Sequence, residues 1–231
     1  MLIKLLAAAT ITYMLYRISK WLYRKTGFPL LHPLLITPGL LIVLISVSSV
    51  SAAQYTEASR LLTYMLGPAT AAFAVPIYKH AGLIKRYTRE IFFSVTAGSA
   101  AAILSSFLFA FWVHLNGDWM ISMLPRSITT PIAIEVSKEI GGLPALTTAF
   151  VILTGIIGGM IGPAMIKWLP IHTPIAKGLM LGMAAHGVGT AKAMEYGELE
   201  GTFSSLSMIL AGFITILWGY SLIPLLILFI S

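Results

Sequence analysis

Three polar stretches interrupt an otherwise apolar chain of 231 residues. In the first, "PRSITTPIAIEVSKEIGG" (125–142), Arg126, Ser127, Thr129 and Thr130 precede Pro131, and Glu135 follows one turn later. Thr130 can cap a helix whose first turn accepts Pro131, and Gly141–Gly142 stop it after about ten residues, roughly 15 Å. The free N–H groups and dipole at such a start favour negative charge, which makes Ser127, Thr129 and Thr130 candidate anion ligands. Arg126 either meets a substrate carboxylate there or snorkels to the interface. Glu135 is a candidate proton carrier or the ion-pair partner of Lys138.

The second stretch, "AAHGVGTAKAMEYGELEG" (184–201), holds His186, Thr190 and Lys192 among glycines. Gly178, Gly182, His186 and Thr190 recur every fourth residue and so share one helical face. His186 can donate to an anion, carry a proton near neutral pH, or bond a backbone carbonyl in a tight helix contact. Thr190 faces the same cavity, to which Lys192 adds a second positive charge. A third stretch, "LGPATAAFAVP", offers Gly67, Pro68 and Thr70. Helix breaks are expected at Gly67, Pro68, Pro131, Gly187 and Gly189. Backbone freed there at membrane depth must be satisfied by buried protein or a wet cavity.

The elements that hold these residues follow from composition. Hydrophobic residues make up 58% of the chain and charged ones 10%, against roughly a quarter charged in a soluble domain. The net charge of +7 therefore reads as membrane orientation rather than nucleic-acid binding. With no cysteine, disulfides and thiolate metal sites are excluded. The five histidines lack metal spacing, and no hydrolase or phosphate-binding motif occurs. The chain reads as a non-enzyme without metal or cofactor.

A span needs about 20 mostly apolar residues. Spans are expected near 2–20, 31–51, 58–79, 91–114, 145–168, 175–196 and 203–229, with 118–140 entering and leaving on one side. The fold class is thus all-α and polytopic: about seven transmembrane helices plus a re-entrant hairpin, discontinuous helices and an inverted repeat, in one integral membrane domain over 1–231. Arg17–Lys25 and Lys79–Arg89 are basic and expected inside, which puts the N-terminus out, Glu195–Glu200 out and the C-terminus in. The repeat pairs "GPATAAFAVPIYKHAG" (67–82) with "RSITTPIAIEVSKEIG" (126–141), an arrangement common in secondary transporters.

"LGPATAAFAVPIY", "SITTPIAIEVSKEIGGLPALTTAFVILTGIIGGMIGP" and "AHGVGTAKAMEYGELEGTFSSLSMILAG" closely resemble the LrgB/CidB family of bacterial membrane proteins, from about Phe28 onward. The sequence is also similar to the C-terminal half of the plastidic glycolate/glycerate transporter. The resemblance implies one of two functions. One is transport of a small monocarboxylate of the pyruvate, lactate or glycolate type, with proton coupling through Glu135 or His186. The other is antiholin-like regulation of murein hydrolase export and lysis, as a membrane scaffold beside a small LrgA/CidA-type partner. It also implies a bacterial cytoplasmic membrane location. The small-residue faces suit tight packing, a homodimer or a higher oligomer.

Overall fold

The structure is a computed structural model that describes residues 2–28 and 31–229, with Leu2, Ile3, Leu66 and Thr70 described by backbone alone. It divides into two compact units, one up to Ala74 and one from Val75. Among the described residues there is no strand. Arg60–Lys79, Thr88–Trp112, Pro144–Trp168 and Glu198–Gly219 are long and apolar enough to cross a membrane, so the chain is a multi-pass, all-α membrane protein.

The first unit contains α1 (Leu2–Thr26), α2 (Pro33–Val47), α3 (Ala52–Ala58) and α4 (Arg60–Ala72). Thr37 of α2 donates a buried hydrogen bond to Ser19 of α1 at 3.1 Å, and the hydroxyls of Thr12 and Tyr55 tie α1 to α3. The breaks expected at Gly67 and Pro68 do not occur there, because α4 runs through both and ends at Ala72. A proline deletes one helical donor, and the alanines that follow have the highest helix propensity, so the helix continues past it.

The second unit continues with α5 (Ala74–Lys79), α6 (Ala81–Arg86), α7 (Thr88–Trp112), α8 (Gly117–Met123), α9 (Thr130–Glu139), α10 (Pro144–Trp168), α11 (Pro174–Tyr196), α12 (Glu198–Gly219) and α13 (Leu222–Ile227). Its main core joins Ile91 and Val95 of α7, Ala133 and Val136 of α9, Val151 of α10 and Phe203, Ala211 and Ile214 of α12. Burial of such side chains is the main apolar stabilisation where helices meet one another rather than lipid.

Residues 124–139 leave the end of α8 and return to it. Thr147 Oγ1 lies 2.9 Å from the Ser122 carbonyl and 2.7 Å from Ser137 Oγ, and the Leu143 N–H donates to Ser122 Oγ at 2.8 Å. Ser122 and Ser137 are therefore neighbours, although fourteen residues of path separate them. The turn back into α10 is a glycine cap. Gly141 has φ +83°, its N–H reaches the Lys138 carbonyl, and the Gly142 N–H reaches the Ser137 carbonyl at 2.7 Å, the two bonds of a Schellman motif. This segment is a hairpin between α8 and α10, at the place where one is expected, with the N-terminus of α9 at its inner end.

The expected full span at 175–196 is corrected. His186 has φ +39° and ψ −119°, which breaks α11 into limbs 174–185 and 187–196. Lys177 Nζ sits 5.6 Å from the Tyr196 ring centroid, whereas a continuous helix would separate those residues by about 28 Å. Ser204 of α12 touches both limbs, through its carbonyl at Gly182 and its hydroxyl at Thr190. α11 is thus a second hairpin, folded at His186.

The two hairpins enter from opposite sides. Glu198 at the start of α12, next to the base of α11, pairs with Lys79 at 3.3 Å, so that base lies on the side of the basic segment 79–89. Along α12, Ile132 meets Gly212 and Val136 meets Gly219, so α9 opens towards the far end. Glu195–Glu200 therefore lies on the same side as Lys79, not the opposite one, and α12 carries the C-terminal end away from it. The expected pairing of 67–82 with 126–141 is not echoed either, since the former runs over three helices and the latter is a loop and one helix.

Because the chain has no native cysteine, the second hairpin can be tested directly. A Lys177→Cys, Tyr196→Cys double variant should be joined efficiently by a short thiol cross-linker, read by mass spectrometry. Absence of the cross-link would leave α11 a through-going helix.

Candidate functional site

The inner ends of the two hairpins converge on one turn of α10. From the first, the half-buried Arg126 donates from Nε to Ser106 Oγ of α7 at 2.8 Å and from Nη1 to Thr154 Oγ1 of α10 at 3.2 Å. From the second, His186 Nε2 lies 3.0 Å from the Val151 carbonyl of α10. Val151 and Thr154 are three residues apart, about 4.5 Å of helix rise. Both lie in the first half of α10, at its eighth and eleventh residues of 25.

Arg126 has no acidic partner among the described residues. Its charge is held by neutral hydroxyls alone, and a charge so placed is costly unless something compensates it. The adjoining start of α9 adds to the positive field. Thr129, not Thr130, is the N-cap residue, and its side chain makes no capping hydrogen bond. The first intrahelical donor is Ala133, which leaves the N–H groups of Thr130 and Ile132 outside the helix ladder, since Pro131 has none. The half-buried hydroxyls of Ser127, Thr129 and Thr130 take no partner among the described residues. The guanidinium, and the N–H groups and free hydroxyls that follow it in the chain at the start of α9, are groups of the kind that meet a carboxylate.

His186 is 7% exposed. A carbonyl only accepts, so Nε2 must carry the proton and donate to Val151, and in the neutral ring Nδ1 is an acceptor. The backbone carbonyl partner is the structural alternative read from the sequence, and it leaves Nδ1 without a protein partner among the described residues. The positive φ at a residue with a Cβ stores strain of order 1–3 kcal/mol. Close packing holds it there. A Cβ on Gly155 would stand 2.7 Å from His186 Cε1, and one on Gly158 would stand 2.7 Å from the Ala184 carbonyl.

Other candidates separate from this cluster. The break falls at His186, and Gly187 and Gly189 are helical. The fold-back also ends the shared face: Gly178, Gly182 and Thr190 meet α12 while His186 meets α10. Thr190 is buried and bonded to Ser204 of α12 at 3.0 Å, away from the convergence on α10. Lys192 is paired with Glu195 at 2.6 Å towards the base of the second hairpin, too far along its limb to reach the tip. Glu135 is exposed and paired with Lys138 at 2.8 Å, the ion-pair alternative rather than a buried proton carrier. Thr70 has its side chain outside the described residues, and Gly67 and Pro68 belong to the other unit. Among the described residues no three His, Cys, Asp or Glu side chains gather as a metal site would need. Sequence reasoning missed Ser106 and Thr154; their one signal is a hydroxyl inside an apolar span.

The backbone approach at the fold-back is testable. A Cβ at Gly189 would collide with the Leu181 carbonyl, whereas one at Gly187 would meet nothing within 4 Å. Gly189→Ala should cost about 1–3 kcal/mol and lower the Tm clearly, with Gly187→Ala close to wild type in the same thermal scan.

Comparison with known proteins gives the family. The model of the LrgB-like family matches residues 12–226, which extends the likeness into the first helix. YwbG of Bacillus subtilis strain 168 is 46% identical over 206 residues, covering 89% of this chain and 92% of that protein. YxaC of the same organism is 36% identical over 198 residues, covering 86% of each. The antiholin-like protein LrgB of Bacillus subtilis is 36% identical over 203 residues, covering 87% of this chain and 88% of its own length. No solved structure matches the chain. With nearly its whole length matched by the family model, this chain belongs to the LrgB-like family.

Proposed function

We propose that this protein is a secondary carrier of small monocarboxylates working by alternating access. The observation that supports it most is the Arg126 guanidinium, held by Ser106 and Thr154 without a counter-charge beside an uncapped helix start. One unpaired positive charge favours one carboxylate over two. The substrate carboxylate would sit against Arg126, the Thr130 and Ile132 N–H groups and the hydroxyls of Ser127, Thr129 and Thr130. The Nδ1 of His186 would accept from a substrate hydroxyl. Hairpins of opposite entry are the devices by which such a site opens to one side and then the other. We read the membrane as the bacterial cytoplasmic one, with Lys79–Arg89 on the inner face.

A second reading has its own support. The relatives named antiholin-like favour a membrane regulator of murein hydrolase export, acting with a small LrgA/CidA-type partner or through oligomers. That reading gives no reason for an uncompensated arginine between two helix ends.

Purified protein in liposomes should take up labelled lactate, pyruvate or glycolate. Arg126→Ala should reduce uptake about a hundredfold, as expected when a charge-assisted contact of about 2–3 kcal/mol is lost, and Thr154→Val should reduce it less. Absence of uptake by wild type, with partner association intact in Arg126→Ala, would favour the regulator.

A further inference from the structure

The basic end of α1 has no use in the proposed site. Arg17, Lys20, Arg24 and Lys25 fall within nine residues of it, and none has an acidic partner among the described residues. Glu57 is the one acidic residue up to Ala74, and it pairs with Arg60 at 3.8 Å.

These cations have an ordered setting. With 3.6 residues per turn, Ala8, Thr12 and Ser19 share one face of α1. Ala8 and Ser19 are buried there, Thr12 meets Tyr55 of α3, and Ser19 meets Thr37 of α2. Arg17, Lys20 and Arg24 fall on the opposite face, with Lys25 at its margin. Three of the four lie over the aromatic ring four residues earlier. Arg17 Cζ is 5.8 Å from the Tyr13 centroid, Lys20 Nζ is 5.7 Å from that of Tyr16, and Lys25 Nζ is 4.3 Å from that of Trp21. Arg17 Nη1 also donates to the Tyr13 hydroxyl at 3.0 Å. Long side chains on a helix lean towards its N-terminus, so these charges fold back towards the mostly apolar half, 2–16, instead of reaching away from it.

α2 gives their level. The Tyr23 ring meets His32, just before α2, edge-on at 5.1 Å, and Ser19 meets Thr37, the fifth residue of α2. Lys20 and Arg17 lie about 4.5 and 9 Å further along α1 than Tyr23, beside a helix whose exposed side chains there are Leu34 and Leu40. Charge beside such apolar surface in a membrane calls for a counter-charge. The anion found at the edge of the hydrocarbon layer is a phospholipid phosphate, and aromatic rings settle in the same layer.

We propose that this face of α1 is a binding surface for anionic phospholipids, whose phosphates bridge Arg17, Lys20 and Arg24. The bound headgroups supply the negative charge that the first unit lacks and fix the depth at which α1 stands. The inference is independent of the carrier reading.

The test uses the full chain in neutral detergent with equal amounts of phosphatidylglycerol and phosphatidylcholine, and native mass spectrometry counts each lipid retained. Wild type should keep phosphatidylglycerol about tenfold better than phosphatidylcholine. An Arg17→Gln, Lys20→Gln, Arg24→Gln triple variant should bring that ratio near one. A second triple with the same loss of charge, Lys85→Gln, Arg86→Gln, Arg89→Gln, should keep most of it. Equal retention of the two lipids by wild type overturns the inference, as does an unchanged ratio in the first triple. An equal fall in both triples also overturns it, because net charge alone would then select the lipid. Should the first triple fail to fold, the three single variants replace it: each should lower the ratio about twofold or more, and an unchanged ratio in all three overturns the inference.

Discussion

An open helix end cannot face lipid, because its unpaired N–H and C=O groups have nothing there to bond. The second unit has two such places, the start of α9 and the fold of α11 at His186, and both are turned towards α10. The rest of the arrangement follows from hiding them. α7, α10 and α12 form the wall, and Ser106, Thr154 and the Val151 carbonyl supply the polar contacts that the interior otherwise lacks. Glycines set how close the parts can come: Gly155 and Gly158 admit the tip of the second hairpin, and Gly182 admits α12.

The half-helix Thr130–Glu139 was legible in the sequence because its signals are local. Pro131 near its start and Gly141–Gly142 at its end act through backbone dihedrals and missing donors, and they act as they would in a peptide. The apolar spans α7, α10 and α12 were legible for the same kind of reason, through length and hydropathy. The fold-back of α11 was not. Gly178, Gly182, His186 and Thr190 keep a perfect helical period, and the residue that breaks it carries a Cβ, which ordinarily argues against a positive φ. Tertiary contact with α10 overrides that preference, and no window of sequence contains that contact.

The site was legible by halves. Arg126, the threonines of 129–130 and His186 stood out as polar groups in an apolar setting, and all adjoin the convergence on α10. Lys192, Thr190 and Glu135 looked equivalent in sequence, yet each has a partner that satisfies it. What separates the two groups is whether a neighbour on another helix completes the bonding, and that is a property of the packed unit. Ser106 and Thr154 went unnoticed for the converse reason: a hydroxyl in a span usually bonds its own helix, and only the fold brings Arg126 to them.

The face that α10 turns to α11 is made of Gly155, Gly158, Gly159 and Gly162. Side chains interlock as ridges in grooves and resist displacement by steps, but a bare backbone surface has almost no teeth. The second hairpin therefore rests on a smooth rail. Axial slip along it would meet little steric resistance, and few rotamers would need to change on the way.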